Sequence, residues 1–180
     1  MAAKRKALAY SKRKPIANTR RSKKQHLSYI KAVPPQKIVK FNMGTYKMLE
    51  DGKLKNKISI ITEENIQIRD FALEAVRQSL NKDLTKLVQK NFFLRCNMYP
   101  HNILRNNRIF SGGSKGERVQ TGMRKSFGSP EGRACTVKKG KPIFTAYFED
   151  EANIPKVKSF FKKIKPKLPC RAKIRVEELK

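Results

Sequence analysis

Long apolar runs are missing from this chain, and with them the usual means of crossing a membrane. A helical span needs about 18 or more mostly apolar residues in a row, and no stretch of the 180 residues approaches that length. The opening residues, MAAKRKALAY, also lack the apolar segment of a secretory signal. We therefore expect a protein of the reducing cytoplasm with no membrane partner.

Cysteine is scarce, and its placement does not suit a metal. Cys96, Cys135 and Cys170 are widely separated, form no C-x-x-C pair and have no histidine at a ligand spacing. The sequence therefore predicts reduced, mostly buried thiols, with no metal and no cofactor.

Histidine is scarce as well, which limits the chemistry open to this chain. His26 lies in a basic stretch and His101 follows a proline, and neither has an evident serine, cysteine or carboxylate partner. Residues 111–117, SGGSKGE, suit a phosphate but miss the G-x-x-x-x-G-K-[ST] spacing of nucleotide-hydrolysing loops. We predict that the protein is not an enzyme. An RNA-modifying enzyme that uses His101 and this loop is the alternative.

Acidic residues are the largest deficit. The chain has 43 lysines and arginines against 14 acidic residues, a formal net charge of +29, and such self-repulsion calls for a polyanion. Basic residues recur without balancing acids in the first 35 residues, around residues 105–125, where Glu117 is the one acid, and over residues 156–175. Because these segments are far apart in the chain, folded RNA that surrounds the protein is the expected partner. A chromatin-like duplex binder, with similar affinity for DNA and RNA, is a further alternative.

Residues 1–35 contain no acid and predict an arm that is disordered when free and orders on RNA. Tyr10 and Tyr29 are available to stack on bases. Pro34 and Pro35 form a stiff, extended end to the arm. A solvated tail or a nuclear-import-like cluster is the plainer reading. The arm residues that we predict to bind RNA are Arg5, Arg13, Arg20, Arg21, Lys23 and Lys24.

A glycine-rich, basic connection runs through residues 99–132, with a basic loop at 105–118. Its glycines let backbone approach a ligand closely, and arginine suits phosphate and base stacking. Residues 118–127 could form a short helix. The remaining cations that we predict to bind RNA are Arg105, Arg108, Lys115, Arg118, Arg124, Lys125, Arg133, Lys167 and Arg171.

Hydrophobic periodicity predicts the fold. Strands are expected at residues 36–41, 57–61, 91–98 and 172–176, with a strand or bend at 99–104 and a hairpin of 133–137 with 143–148. Apolar residues at three- and four-residue steps predict a helix over about 63–89, capped by Thr62, with Glu74 and Arg77 as an exposed pair. A second helix is predicted with Asn153 as its N-cap, and it stops at Pro166. The prediction is a single α+β domain at 36–180, with two helices on one face of a mainly antiparallel sheet.

Several segments resemble the family of the universal large-subunit ribosomal protein numbered sixteen, in its archaeal and eukaryotic branch, called ribosomal protein ten-e. They are YPHNILRNNR at 99–108, QTGMR at 120–124, F-G-x-P-x-G at 127–132 and IQIRDFALEAVRQ at 66–78. Asn102 departs from the archaeal-like YPHH pattern, and the N-terminal arm departs from the usual opening of the family.

The resemblance implies an α+β fold of the β-hammerhead type and a non-catalytic role in the large ribosomal subunit. It implies binding to large-subunit rRNA near the central protuberance and close to 5S rRNA, with the loop directed toward the peptidyl transferase centre and toward tRNA in the A and P sites. The tRNA-facing residues that it implies are Asn106, Asn107, Ser111, Gly112, Gly113, Ser114, Lys115 and Gly116. Neighbouring ribosomal proteins are implied partners.

Overall fold

The structure, a computed structural model, describes residues 6–11, 30, 32–106 and 129–179. The described helices are α1 (Leu8–Ser11), α2 (Tyr46–Glu50), α3 (Asp70–Val88) and α4 (Ile154–Ile164), with 3-10 turns at Glu151–Asn153 and Lys165–Lys167. The described strands are β1 (Asn42–Gly44), β2 (Asn56–Thr62), β3 (Ile66–Arg69), β4 (Phe92–Cys96), β5 (Asn102–Asn106), β6 (Ser129–Val137), β7 (Pro142–Phe148) and β8 (Ala172–Glu178).

The described strands form two antiparallel sheets. The larger has the order β1-β4-β7-β2-β8, and the smaller has the order β3-β6-β5. The predicted α+β class and the antiparallel pairing are confirmed, but the strands are divided between two sheets where the sequence predicted one. The strands predicted at 57–61, 91–98 and 172–176 correspond to β2, β4 and β8.

One core joins both sheets to the two long helices. Its buried residues include Ile58 of β2, Phe144 of β7, Ile68 of β3 and Cys135 of β6. The helices complete the same cluster with Leu73, Val76, Leu80 and Leu84 from α3 and Val157, Phe161 and Ile164 from α4. Each set recurs at three- or four-residue steps, so each helix turns one apolar stripe toward the sheets.

The strand predicted at residues 36–41 is wrong, because β1 begins only at Asn42. The alternation that suggested it is real, since Ile38 is buried and Val39 is exposed. Backbone N–H groups of this segment, however, bond to side chains of α3. Lys37 N donates to Asp70 Oδ2 at 3.0 Å, and Val39 N donates to Glu74 Oε2 at 3.4 Å.

The start predicted for the long helix is also wrong. Residues 66–69 form β3, which pairs with β6, and α3 begins at Asp70. Thr62, predicted as the N-cap, is the last residue of β2, and its hydroxyl donates to the carbonyl O of Lys138 at 3.0 Å. Ile66 and Ile68 fit the period of a strand as well as that of a helix, and pairing with β6 decides between the two.

The predicted hairpin of 133–137 with 143–148 does not form, although both strands exist. β6 pairs with β3 and β5, whereas β7 pairs with β2 and β4. The connection between β6 and β7 is bonded to the end of β2: Gly140 N donates to Thr62 O at 2.8 Å, and Thr62 N donates to Lys141 O at 3.2 Å. The chain passes from the smaller sheet to the larger sheet through this connection, which the bonds to Thr62 hold in place.

Two smaller expectations also need correction. Asn153 directly precedes α4, but its side chain bonds to Asp150 and not to a backbone N–H of the helix. Glu74 and Arg77 are paired as predicted, but their side chains are only 12% and 13% exposed. The helix predicted at 118–127 lies outside the described residues.

Candidate nucleic-acid interface

The exposed side of α4 carries four lysines, Lys156, Lys158, Lys162 and Lys163, which we call the α4 lysine face. α4 buries Val157, Phe161 and Ile164 and therefore has to turn these lysines toward solvent. Within the part of the chain that the structure describes, none of the four forms an ion pair with a carboxylate. The α4 lysine face is the densest group of uncompensated cations that we find there.

The cations in β8 and directly before it are partly neutralised by carboxylates that are distant in sequence. Lys173 Nζ lies 2.8 Å from Glu63 Oε1, and Arg171 Nε lies 3.7 Å from Glu64 Oε1. The hydrogen bond from Lys173 lowers the pKa of Glu63, and Glu63 in turn raises the pKa of Lys173. Residues 156–175 contain no acid, but the fold brings Glu63 and Glu64 close to Lys173 and Arg171.

Acidic residues gather at one end of the larger sheet. Asn56, Phe148 and Glu178 are neighbours in the pairing register there, and the chain that leaves β7 continues through Glu149, Asp150 and Glu151. Beside them Glu177 accepts from Lys57 Nζ at 2.5 Å and from Arg175 Nε at 2.6 Å, and the bond from Lys57 lowers its pKa. The surface is therefore not evenly basic.

Tyr10 is buried, which corrects the prediction that it stacks on bases. Its side chain is 2% exposed and packs with Leu104 and Ala134 of the smaller sheet. Gln67 Nε2 donates to the carbonyl O of Tyr10 at 3.0 Å, and Asn102 Nδ2 donates to Gln67 Oε1. ALAY at residues 7–10 is one of the few apolar clusters of the arm, and this was the signal that could have indicated the burial.

His101, the histidine that the structure describes, is bonded to a backbone carbonyl close to it in the chain. The ring Nδ1 of His101 lies 3.1 Å from the carbonyl O of Tyr99. Across the described ranges we find no group of three or more His, Cys, Asp or Glu residues that could hold a metal ion. Among the same residues, no helix has both the length and the apolar character needed to span a bilayer.

A family model described as ribosomal protein L16p/L10e matches residues 16–175. The chain belongs to the ribosomal protein L16p/L10e family. Membership confirms the resemblance carried by YPHNILRNNR, QTGMR and the neighbouring segments, and it confirms the predicted place of the protein in the ribosome.

Similar proteins include three that are each named large ribosomal subunit protein uL16. The one from Pyrobaculum aerophilum is 40% identical over 150 residues, which cover 83% of this chain and 82% of the relative. The one from Thermofilum pendens is 39% identical over 153 residues, covering 84% and 88%. The one from Nanoarchaeum equitans is 32% identical over 166 residues, covering 92% and 89%.

The structure describes some of the residues that we predict to contact RNA in this L16p/L10e protein. Arg171 is highly exposed at the start of β8, and Lys167 Nζ bonds to Ser79 Oγ of α3. Arg133 Nε donates to the carbonyl O of Pro34 at 2.7 Å, and Arg105 and Asn106 end β5. These roles stay predictions. Outside the described residues lie Arg5, Arg13, Arg20, Arg21, Lys23, Lys24, Tyr29, Asn107, Arg108, Ser111, Gly112, Gly113, Ser114, Lys115, Gly116, Arg118, Arg124 and Lys125.

Sequence reasoning missed the polar residues that join the arm to the smaller sheet. Gln67 and Asn102 are both buried, and Asn102 is the position at which the chain departs from the YPHH pattern. Their hydrogen bonds to each other and to Tyr10 give both carboxamides a structural use. The departure at Asn102 was visible in the sequence, but its partner on β3 was not.

Proposed function

We propose that this chain is a structural protein of the large ribosomal subunit. It binds large-subunit rRNA near the central protuberance, close to 5S rRNA, and its segment 106–117 faces the peptidyl transferase centre and tRNA in the A and P sites. Its role is to support tRNA positioning and subunit assembly in translation, while RNA carries out the peptide-bond chemistry. The observation that carries the proposal is the family match over residues 16–175.

The strands on either side of residues 107–128 support this proposal. Asn106 at the end of β5 is the pairing partner of Ser129 at the start of β6. The chain therefore leaves and re-enters the smaller sheet at adjacent positions, and residues 107–128 begin and end at one site. Because Asn106 and Ser129 are adjacent, RNA that contacts this edge of the smaller sheet can contact both ends of residues 107–128.

We further propose that residues 1–35 act as a basic RNA-binding arm and residues 36–180 as one domain. The α4 lysine face is the described surface that best fits phosphate, because exposed lysines without carboxylate partners release counterions when they contact a nucleic acid backbone. Contact with rRNA on this side and through the arm agrees with the net charge of +29.

Sedimentation tests the ribosomal assignment. A tagged full chain, expressed in cells that also make the untagged protein, is followed through a sucrose gradient at low magnesium, where the two subunits separate. We expect the tag in the large-subunit fractions after a wash at moderate salt. Recovery at the top of the gradient, or with the small subunit, would overturn the proposal.

Site-specific crosslinking tests the finer assignment to tRNA. A photo-reactive amino acid replaces Gly113 in one variant and Lys139, in the connection between β6 and β7, in a control variant. In ribosomes that contain tRNA, we expect crosslinks to tRNA from position 113 and none from position 139. If position 113 reaches only rRNA, or if both positions reach tRNA equally, the tRNA-facing role is wrong.

A further inference from the structure

Tyr10 contacts all three strands of the smaller sheet, although it lies in the N-terminal arm. Its hydroxyl donates to Glu131 Oε2 of β6 at 2.8 Å and, as the weaker branch of the same donor, to the carbonyl O of Arg105 of β5 at 3.3 Å. Its own carbonyl O accepts from Gln67 Nε2 of β3 at 3.0 Å. One residue of the arm is thus bonded to β3, β5 and β6.

The bond from Gln67 to the Tyr10 carbonyl is buried, whereas the two bonds of the Tyr10 hydroxyl are partly buried because Glu131 is exposed. The Tyr10 ring packs with Leu104 and Ala134, and Gln67 and Asn102 are each 4% exposed. If α1 were to leave, the Gln67 carboxamide would lose the acceptor of its N–H group. Removing one partner of a buried hydrogen bond costs more than the bond itself contributes.

The contacts of the Tyr10 hydroxyl lie close to the point at which the chain leaves and re-enters the smaller sheet. Arg105 pairs with Pro130 and Asn106 pairs with Ser129, while Glu131 is the extra residue of β6 at the register shift beside these pairs. The Tyr10 hydroxyl bonds to Glu131 and to Arg105 and therefore lies next to the last pairs of β5 and β6. Beyond those pairs the chain continues into residues 107–128. The hydroxyl therefore ties together the two strand ends between which that segment runs.

We propose that Tyr10 is a positioning residue: by bridging Glu131 and Arg105, it fixes the ends of β5 and β6 and so sets where residues 107–128 begin and end. That those residues face tRNA rests on the proposed function, whereas the bridge itself does not. The bridge also couples the arm to the connection. A ligand that favours packing of α1 on the smaller sheet also favours pairing of the ends of β5 and β6. By linkage, a ligand that favours pairing of these strand ends also favours packing of α1 on the sheet.

Hydrogen exchange on the free full-length protein tests the bridge without any ribosome. Tyr10→Phe removes the hydroxyl and keeps the ring, and Tyr46→Phe, on an exposed tyrosine of α2, is the matched control. In Tyr10→Phe we expect about fivefold faster exchange at the amides of the last β5–β6 pairs, the factor for one ordinary hydrogen bond. Exchange in β2 and β7 should be unchanged, and Tyr46→Phe should match the wild type throughout.

Substitutions at Glu131 separate the bridge from a general loss of stability. Glu131→Gln retains an acceptor for the hydroxyl and should behave like the wild type, whereas Glu131→Ala should reproduce the exchange pattern of Tyr10→Phe. The inference is overturned if Tyr10→Phe leaves the β5–β6 ends unchanged. It is equally overturned if exchange rises by the same factor in both sheets.

A measurement in ribosomes distinguishes failure of this inference from failure of the proposed function. We expect Tyr10→Phe to sediment with the large subunit like the wild type but to give weaker tRNA crosslinks from position 113. If the exchange result holds and wild-type crosslinks to tRNA are absent, the bridge stands and the tRNA role falls. If wild-type crosslinks are present and Tyr10→Phe leaves them undiminished, Tyr10 does not position the segment.

Discussion

Glu74 holds Arg77 through both of its carboxylate oxygens. Arg77 Nη2 donates to Glu74 Oε1 at 2.5 Å, and Arg77 Nε donates to Oε2 at 2.7 Å. The same carboxylate also accepts from Val39 N at 3.4 Å, so it ties the segment before β1 to α3. Because both side chains are largely buried, this pair is worth more than an ion pair on the surface.

We predict that Glu74→Gln lowers the free energy of unfolding at neutral pH by about 1.5–3 kcal/mol, the range for a hydrogen bond to a charged group. The Arg77 guanidinium would keep its position but lose its counter-charge. Urea unfolding of the full chain at pH 7 measures the change. Glu50→Gln, at an exposed carboxylate that ends α2, is the control and should be nearly neutral.

The same pair should give a pH dependence of known sign. The hydrogen bond from Arg77 lowers the pKa of Glu74 below its ordinary value of 4.5. The associated stability is therefore fully present well above pH 4.5 and is lost as the pH falls through the lowered pKa. The gap between wild type and Glu74→Gln should narrow in that acidic window. A gap that stayed constant down to pH 3 would contradict the assignment.

Gly44 is a position at which only glycine fits. Its φ is +86°, and a Cβ there would lie 2.0 Å from the carbonyl O of Phe92 on the neighbouring strand. We predict that Gly44→Ala costs more than about 3 kcal/mol, because β1 must separate from β4 to relieve the clash. Thermal and urea unfolding measure the loss.

Gly52 offers a matched control for that prediction. It also has a positive φ, +70°, but nothing lies within 4 Å of the position of a Cβ. Gly52→Ala should cost only the strain of a side chain in the left-handed region, about 1–2 kcal/mol. Equal losses in the two variants would mean that the close approach to Phe92 does not matter.

The cysteines should resist alkylation in the folded protein. Burial raises the pKa of Cys96 to about 11, of Cys135 to about 12 and of Cys170 to about 11, and the thiolate is the reactive form. With iodoacetamide at pH 8, followed by mass spectrometry, we expect slow labelling that begins at the half-buried Cys170. Cys96 and Cys135 should react only after denaturation. Rapid labelling of either in native protein would contradict their burial.

The α4 lysine face should contribute to the salt dependence of RNA binding. Each phosphate contact adds roughly 0.7–0.9 to the slope of log affinity against log salt. We predict that Lys158→Gln with Lys162→Gln lowers the slope for large-subunit rRNA by about one to two. Filter binding over a salt series measures it.

A control of equal charge comes from lysines that already have carboxylate partners. Lys53 Nζ lies 3.6 Å from Asp51 Oδ2, and Lys57 Nζ lies 2.5 Å from Glu177 Oε2. Lys53→Gln with Lys57→Gln should change the slope much less. If both double variants lower it equally, net charge and not the α4 lysine face is responsible.

Local patterns predicted the elements that carry one clear period. α4 follows from Val157, Phe161 and Ile164 with Pro155 in its first turn, and β4 follows from the alternation of Phe92, Leu94 and Cys96. Each of these faces packs against the main core, so a short window of sequence contains the information, although Phe93 on the other face of β4 is buried as well. The overall α+β class follows from the same patterns.

Contacts between segments that are distant in the chain could not be predicted from the sequence. Residues 66–69 fit a helix or a strand, and only pairing with residues 134–137 makes them β3. The bridge from Tyr10 to Glu131 spans 121 positions, and nothing in either neighbourhood indicates the other. The segment 36–41 has the alternation of a strand, but carboxylates of α3 take the backbone donors at Lys37 and Val39.

The carboxylates at the C-terminal ends of β7 and β8 make the charge distribution of this strongly cationic molecule asymmetric. We expect a polyanion to be repelled by Glu149, Asp150 and Glu178 and attracted by the α4 lysine face, so that some orientations of approach are favoured over others. Such a preference would speed productive association, and we expect it to fade as added salt shortens the reach of the field.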